Sequence, residues 1–298
     1  FSEEIPPSLQ RNLRKNLLDS FNKLFNEKFI SHKKSSSYST PNRLIIVFEG
    51  IQKQVVLRSE ETKGPNINAP EVALEGFMRS NNISKKDLSK KITDKGEFYF
   101  FKTKSKKLNV HVLLEEFVPL VLQKIQWKKS MKWGEFDLNW GRPLKSILAL
   151  FDKKKLTFDF HHLSSSNSTF IDKEFEEQKK IFNDFKEYSN FFKKMNIIID
   201  QKQRKDLIEK KLNEISNKKN IKIENNSKLL DEVVDLTDQP NVIICEFDRK
   251  FLNIPKEILI ITMQFHQKYF PTFDKKGNIT NEFLVVTNKQ DKKGFKIG

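Results

Sequence analysis

The sequence predicts an α+β fold of two mixed α/β lobes, with antiparallel or mixed sheets and helices on the surface. Three observations carry that expectation. The chain opens with a helix pattern followed directly by strand patterns, an order that segregates helices from the sheet they cover. Its 298 residues suffice for two domains of ordinary size. A polar run, Ser164-Ser165-Ser166-Asn167-Ser168-Thr169, reads as a loop and supplies a seam. One lobe is therefore expected over residues 1–163 and a second over 164–298.

Taken in order, Pro6 and Pro7 precede a helix over residues 8–29, where Leu9, Leu13, Leu17, Leu18, Phe21, Leu24 and Phe25 form one dry face. A polar loop over 32–39 leads through Thr40-Pro41-Asn42-Arg43 to strands at 44–48 and 54–57. Residues 61–65 read as a loop, and Pro70 opens a short helix over 71–79. The charged stretch 85–94 is helical or looped, and 97–102 alternates as a strand. Residues 110–125 are apolar at helical spacing, with Pro119 marking a kink or a helix start. A strand or short helix at 144–151 and a strand at 156–160 close the first lobe.

In the second lobe, 174–186 has helical spacing, 196–199 fits a strand, and Asp200 caps a helix over 201–217 that is polar on most sides. Asn225 and Asn226 break the chain before Leu229-Leu230-Asp231-Glu232-Val233-Val234. After a strand at 242–247, Pro255 opens a helix bearing Ile258, Leu259, Ile261, Thr262, Met263 and Phe265. It reads as a buried helix that locks this lobe and ends in a polar-aromatic corner of His266, Gln267, Lys268 and Tyr269, since Pro271 forbids continuation. A turn at 274–278 and a strand at 283–286 follow.

The formal net charge is +16, which favours a polyanionic partner such as RNA. Lysine far outnumbers arginine, and Asn, Ile and Phe are abundant, as expected of A+T-rich coding sequence, so only part of that charge bears on a partner. The single cysteine, Cys245, excludes an internal disulfide and a multi-thiolate metal site, and sits in an apolar run as a small core residue. No stretch approaches the ~20 apolar residues of a membrane span and no secretory pattern opens the chain, so the reducing cytoplasm is expected. Phe1 in place of Met, and an end at Gly298 just after a predicted strand, are what a piece of a longer chain would show.

Catalytic chemistry finds little support. There is no glycine-rich phosphate loop and no H-E-x-x-H. His161 and His162 are adjacent, so on a strand they point to opposite faces, which disfavours a metal site. Asp231, Glu232 and Asp235, with Asp238 beyond, share a helical face that suits magnesium or acid-base work, but a solvated acidic face is the reading preferred. His266 has no acidic or nucleophilic partner in sequence. Lys128, Lys129, Lys132 and Arg142, interleaved with Trp127, Trp133 and Trp140, make the better case: cations take phosphates while indoles stack on bases. The competing reading puts the tryptophans in the core, Trp133 beside Gly134 above all, and leaves the lysines lining the surface.

Several segments, in this order, resemble one family: Ser2-Glu3-Glu4-Ile5-Pro6, Thr40-Pro41-Asn42-Arg43-Leu44, Lys63-Gly64-Pro65, Glu75-Gly76-Phe77-Met78-Arg79, Lys129-Ser130-Met131-Lys132-Trp133-Gly134, Arg142-Pro143, Leu229-Leu230-Asp231-Glu232-Val233 and Gln267-Lys268-Tyr269-Phe270-Pro271. Together they resemble the N-terminal part of the β subunit of bacterial heterotetrameric glycyl-tRNA synthetase. The resemblance implies a β chain that joins an α subunit as (αβ)2, binds tRNA-Gly and is needed for charging, with the ATP, magnesium and glycine site on α and no cofactor in this chain. It also implies an HD-like domain and an anticodon-binding domain farther along the intact subunit. Where the family commonly ends a segment in G-H-R-F, this chain has Asp172-Lys173-Glu174-Phe175 and lacks the basic pair.

The function expected is thus tRNA binding and assembly in support of glycylation on α. A general basic RNA-binding module and an editing-type aminoacyl-tRNA hydrolase are the alternatives, the latter without a nucleophile or paired acid and base to recommend it. Lys129, Lys132, Arg142, Gln267 and Lys268 are the residues expected to face RNA or the partner subunit, with none catalytic and none a metal ligand.

Overall fold

Proline at the first helical position pre-sets the backbone, and helix α1 (Pro7–Glu27) starts there. Its stripe of Leu9, Leu13, Leu17, Phe21, Leu24 and Phe25 is buried as the spacing predicts. The computed structural model that shows this describes residues 1–57, 61–103, 105–171, 178–224 and 226–288. Strand β1 (Lys34–Thr40) replaces the polar loop expected at 32–39. Its serines carry no apolar signal, but each pairs antiparallel with a residue of β2 (Arg43–Glu49), from Lys34↔Glu49 to Thr40↔Arg43, and that ladder satisfies the backbone.

Strand β3 (Gln54–Leu57) runs antiparallel to β7 (Lys106–Asn109), with Gln54 opposite Asn109 and Leu57 opposite Lys106. The described residues between them form a small unit: β4 (Glu61–Asn66), helix α2 (Glu71–Asn81), a 3-10 turn over Lys85–Asp87, β5 (Leu88–Thr93) and β6 (Gly96–Lys102), in the sheet order β4-β6-β5. Two expectations change here. Residues 61–66 are a strand rather than a loop, and 88–93 form a strand rather than a helical or looped segment, because both edges of the aromatic strand β6 take a partner. Helix α3 (Val110–Gln123) follows, capped by the Asn109 side chain, which accepts from the His111 backbone N–H at 2.9 Å; Pro119 lies inside it.

Short strands β8 (Ile147–Leu148), β9 (Leu150–Phe151), β10 (Lys154–Lys155) and β11 (Asp159–Phe160) come next, and Leu156, Phe158 and Phe160 are buried in the alternation predicted. The serine run is β12 (Leu163–Ser166) and β13 (Ser168–Phe170), not a loop. Two of its hydroxyls are consumed inside: Ser165 Oγ donates to the Leu156 carbonyl at 2.7 Å and accepts from the Phe158 N–H at 2.9 Å, and Thr169 meets Ser146 at 3.1 Å. Strand β14 (Lys179–Ile181) pairs with β13, and α4 (Phe185–Lys194) begins only at Phe185, so of the described part of the helix expected over 174–186 only Phe185 and Lys186 are helical. Residues 172–177, where the G-H-R-F departure falls, lie outside the described residues.

The run 196–199 is irregular rather than a strand, with Ile197 and Ile199 buried. Its carbonyls have another use: Arg204 Nη1 donates to Ile198 O at 2.7 Å and Ile199 O at 2.9 Å. Asp200 caps α5 (Gln201–Lys219) as predicted. Strand β15 (Lys222–Ile223), helix α6 (Ser227–Leu236), β16 (Pro240–Glu246), α7 (Lys256–Ile261), β17 (Phe270–Phe273) and β18 (Ile279–Asn288) follow among the described residues, four of them forming the sheet β15-β17-β18-β16. One core gathers α1, α3 and the aromatic residues Phe151 and Phe158; another packs Ile208 and Leu212 of α5 and Leu229, Leu230, Val233 and Val234 of α6 on Phe270 and Leu284. Each such side chain, fully buried, contributes about 1.5–3 kcal/mol. No helix among the described residues is long and apolar enough to cross a membrane.

Candidate nucleic-acid and partner interface

The tryptophan segment folds back on itself. Met131 and Trp140 exchange backbone hydrogen bonds at 2.8 and 3.1 Å, closing a loop whose base is aromatic. Trp140 is buried with its ring centroid 4.9 Å from that of Trp127, and both join Leu138 and Phe160 in a small core. A side chain at Gly141 has no room there, because its Cβ would collide with the Trp127 ring. Trp140 is thus core, and Trp127 and Trp133, both half-buried, pack against the same cluster. The Trp133 ring borders Phe136 and His162, which stack on each other at 3.8 Å. His161, with φ of 53°, and His162 lie in the turn after β11, not on a strand.

Lys128 and Lys129 are exposed beside this loop. Lys132 Nζ sits 2.5 Å from Asp137, whose carboxyl it holds below the usual carboxylate range by hydrogen bond and charge. Arg142 is half-buried and donates to the Gly141 carbonyl at 2.8 Å.

The segment after Pro255 is not the core helix expected. Helix α7 buries no side chain, and Ile258, Ile261 and Phe265 are 54, 58 and 72% exposed. The helix widens into a π turn over Thr262–Gln267, and Met263 alone of that turn is buried. Periodicity identifies a helix but not how little of so short a one its neighbours cover. Lys268 ends the turn in a left-handed conformation, φ 60°, and its Nζ donates to the Phe265 carbonyl and pairs with Glu232, both at 2.9 Å. Tyr269 stacks on Phe283 at 4.8 Å, Phe270 is buried, and Gln267 is exposed. The Gln267–Pro271 signature shapes the chain's return into β17.

The acidic face is the largest correction. Each of its carboxylates meets a cation from another element: Asp231 meets Lys205 at 2.7 Å, Glu232 meets Lys268, Asp235 meets Arg14 at 2.8 Å, and Asp238 meets Arg43 at 3.6 Å. Asp235 and Asp238 are buried, as are Arg43 and Arg204. A buried ion must be paired, so Asp235 and Asp238 tie α6 and the segment after it to α1 and β2, while Asp231 and Glu232 stay partly exposed in their ion pairs. Burial lowers the Arg204 pKa to about 10, partly offset by Asp235 and Asp238. Sequence reading misses this network because its members come from positions far apart in the chain.

A family model described as the glycyl-tRNA synthetase beta subunit matches residues 1–297. The chain belongs to the glycyl-tRNA synthetase beta subunit family. Relatives in that family include the glycine-tRNA ligase beta subunits of Rickettsia felis, 36% identical over 290 residues, and of Rickettsia akari and Rickettsia prowazekii, each 36% identical over 288. The matches cover 97% of this chain but 44% of the first relative and 43% of the other two. The chain thus spans less than half the length of these beta subunits.

Proposed function

We propose that this chain is the tRNA-binding and assembly region of a glycine-tRNA ligase β subunit, supporting ATP-dependent glycylation of tRNA-Gly on an α subunit and not catalytic by itself. The observation that carries the reading is the family match over residues 1–297. The net charge of +16 supports a polyanionic partner, and the relatives' names as beta subunits support a second, protein partner. In this reading the assembly is an (αβ)2 heterotetramer of the bacterial cytoplasm, ATP and magnesium are used on α, and the lobes divide near residues 163 and 164. Lys129, Lys132 and Arg142 on the tryptophan loop, with Gln267 and Lys268 at the π turn, face tRNA or α.

The test compares charging of tRNA-Gly by α alone with charging by α plus the β subunit that carries this sequence. Glycylation only in the mixture is expected; full charging by α alone overturns the reading.

A further inference from the structure

We propose that the open face of the β4-β6-β5 sheet is a stacking platform for single-stranded RNA, distinct from the tryptophan loop; the class of partner rests on the reading above. Strand β6 carries Phe98, Tyr99, Phe100 and Phe101 in succession, so alternate rings share a face. The register says what accompanies them. Phe98 pairs with Lys91 of β5, and Phe100 pairs with Lys63 of β4 and Ser89 of β5. Residues directly opposite across a ladder point the same way, so Lys63, Ser89, Lys91, Phe98 and Phe100 form one surface. Both lysines lean diagonally over the rings, Lys63 Nζ at 3.4 Å from the Phe98 centroid and Lys91 Nζ at 5.5 Å from that of Phe100.

Helix α2 occupies the other face. The position a Cβ would take on Gly64 is filled by the Phe77 ring, at 2.8 Å. Gly64 follows Lys63 in β4, so alternation turns α2 away from Phe98 and Phe100. The two rings are half-buried, and Lys63, Ser89 and Lys91 are exposed.

Charge and geometry favour a nucleic acid strand over a protein. The centres of protein interfaces are depleted in lysine, whereas here each ring has one above it. Rings two residues apart on a strand stand about 7 Å from each other, room for each to take one base of an unstacked strand. A base on an aromatic ring is held more firmly than an ammonium over an exposed ring, so an incoming base displaces the lysine and leaves it beside the phosphate. Lys91 is also held by Glu61 at 2.5 Å, which makes Lys63 the freer cation of the two.

The experiment measures binding of the full chain to a fluorescent oligouridylate and to an RNA duplex of equal length, by anisotropy over a range of salt. Tighter binding of the oligouridylate is expected. Phe98→Leu and Phe100→Leu should each weaken it about five- to hundredfold without changing the salt slope, and Lys63→Ala should reduce the slope by about 0.7. Cross-linking of a 4-thiouridine oligonucleotide to the unsubstituted chain gives a readout independent of variant folding, with adducts expected at Phe98 or Phe100. Oligouridylate bound no better than the duplex, leucine variants that bind as the parent does, or adducts confined to residues 127–142 and 267–268 would overturn the platform while leaving RNA binding intact. A chain that binds no RNA sinks both readings.

Discussion

The Gln10 side chain donates from Nε2 to the backbone carbonyl of Asp235 at 2.7 Å, joining α1 to α6 across 225 positions of the chain. The same nitrogen reaches the Ile5 carbonyl at 2.8 Å, while Gln10 Oε1 accepts from Ser39 Oγ at 2.7 Å. Arg14 then bridges Ser39 and the Asp235 carboxylate. Helix α1, strand β1 and helix α6 are thereby locked by polar contacts, those of Gln10 buried and those of Arg14 partly buried, and such paired contacts strengthen a fold where water is excluded.

Arg204 is the keystone of that region. Its guanidinium serves carbonyls of Ser39, Ile198, Ile199 and Val234, so removal leaves acceptors buried without donors. Arg204→Ala should lower stability by about 3–5 kcal/mol in urea unfolding. Arg204→Lys should recover little of it, since an ammonium cannot present the same planar fork.

The exposed apolar side of α7 makes a contrasting prediction. Ile258→Ser or Phe265→Ser should change stability by no more than about 0.5 kcal/mol, whereas Met263→Ala should cost about 2–5 kcal/mol. Thermal unfolding of the three variants tests it; equal losses would mean that α7 is packed as a core helix.

Two glycines should respond oppositely. Gly141→Ala drives a methyl into the Trp127 ring and should destabilise by about 1–3 kcal/mol, with a shift in tryptophan emission. Gly76 lies within α2 with nothing inside 4 Å of the place a methyl would take, so Gly76→Ala should stabilise by up to about 1 kcal/mol.

The turn between β17 and β18 should loosen in acid. Asp274 is held below the usual carboxylate range by the Asn278 side chain, which donates at 3.0 Å, and by the Asn278 backbone N–H at 2.9 Å. A depressed folded pKa gives stability above the unfolded value, near pH 4, that is lost as pH falls through the folded one. NMR titration of the Asp274 carboxyl should show the depression, and Asn278→Ala should lessen it without abolishing it, because the backbone N–H at 278 still donates.

How much of this is legible in the sequence depends on how local the cause is. Helix α1 follows from its own stripe, and α5 from the Asp200 cap, so both are readable. The strand status of Lys34–Thr40 is not, because it comes from the register of β2 rather than from its serines. The pairing of Asp235 with Arg14 and of Asp238 with Arg43 lies beyond any sequence window. At the candidate interface the cations are readable as residue types, but the burial of Trp140 and the Glu232 partner of Lys268 need the fold. Aromatic rings with cations beside them also occur where Phe98 and Phe100 of β6 meet Lys63 of β4 and Lys91 of β5, an arrangement that needs the register, since alternation along β6 by itself signals only a strand.

The pairing of Leu57 with Lys106 means that the chain leaves for the β4-β6-β5 unit and returns from it through a single doorway. Lengthening, trimming or exchanging what lies beyond the doorway should leave the β3–β7 ladder in place, since closing a flexible loop costs only slowly more as it grows. A lineage can therefore remodel this appendage, and with it the surface it offers, while the body of the subunit stays under a separate set of constraints.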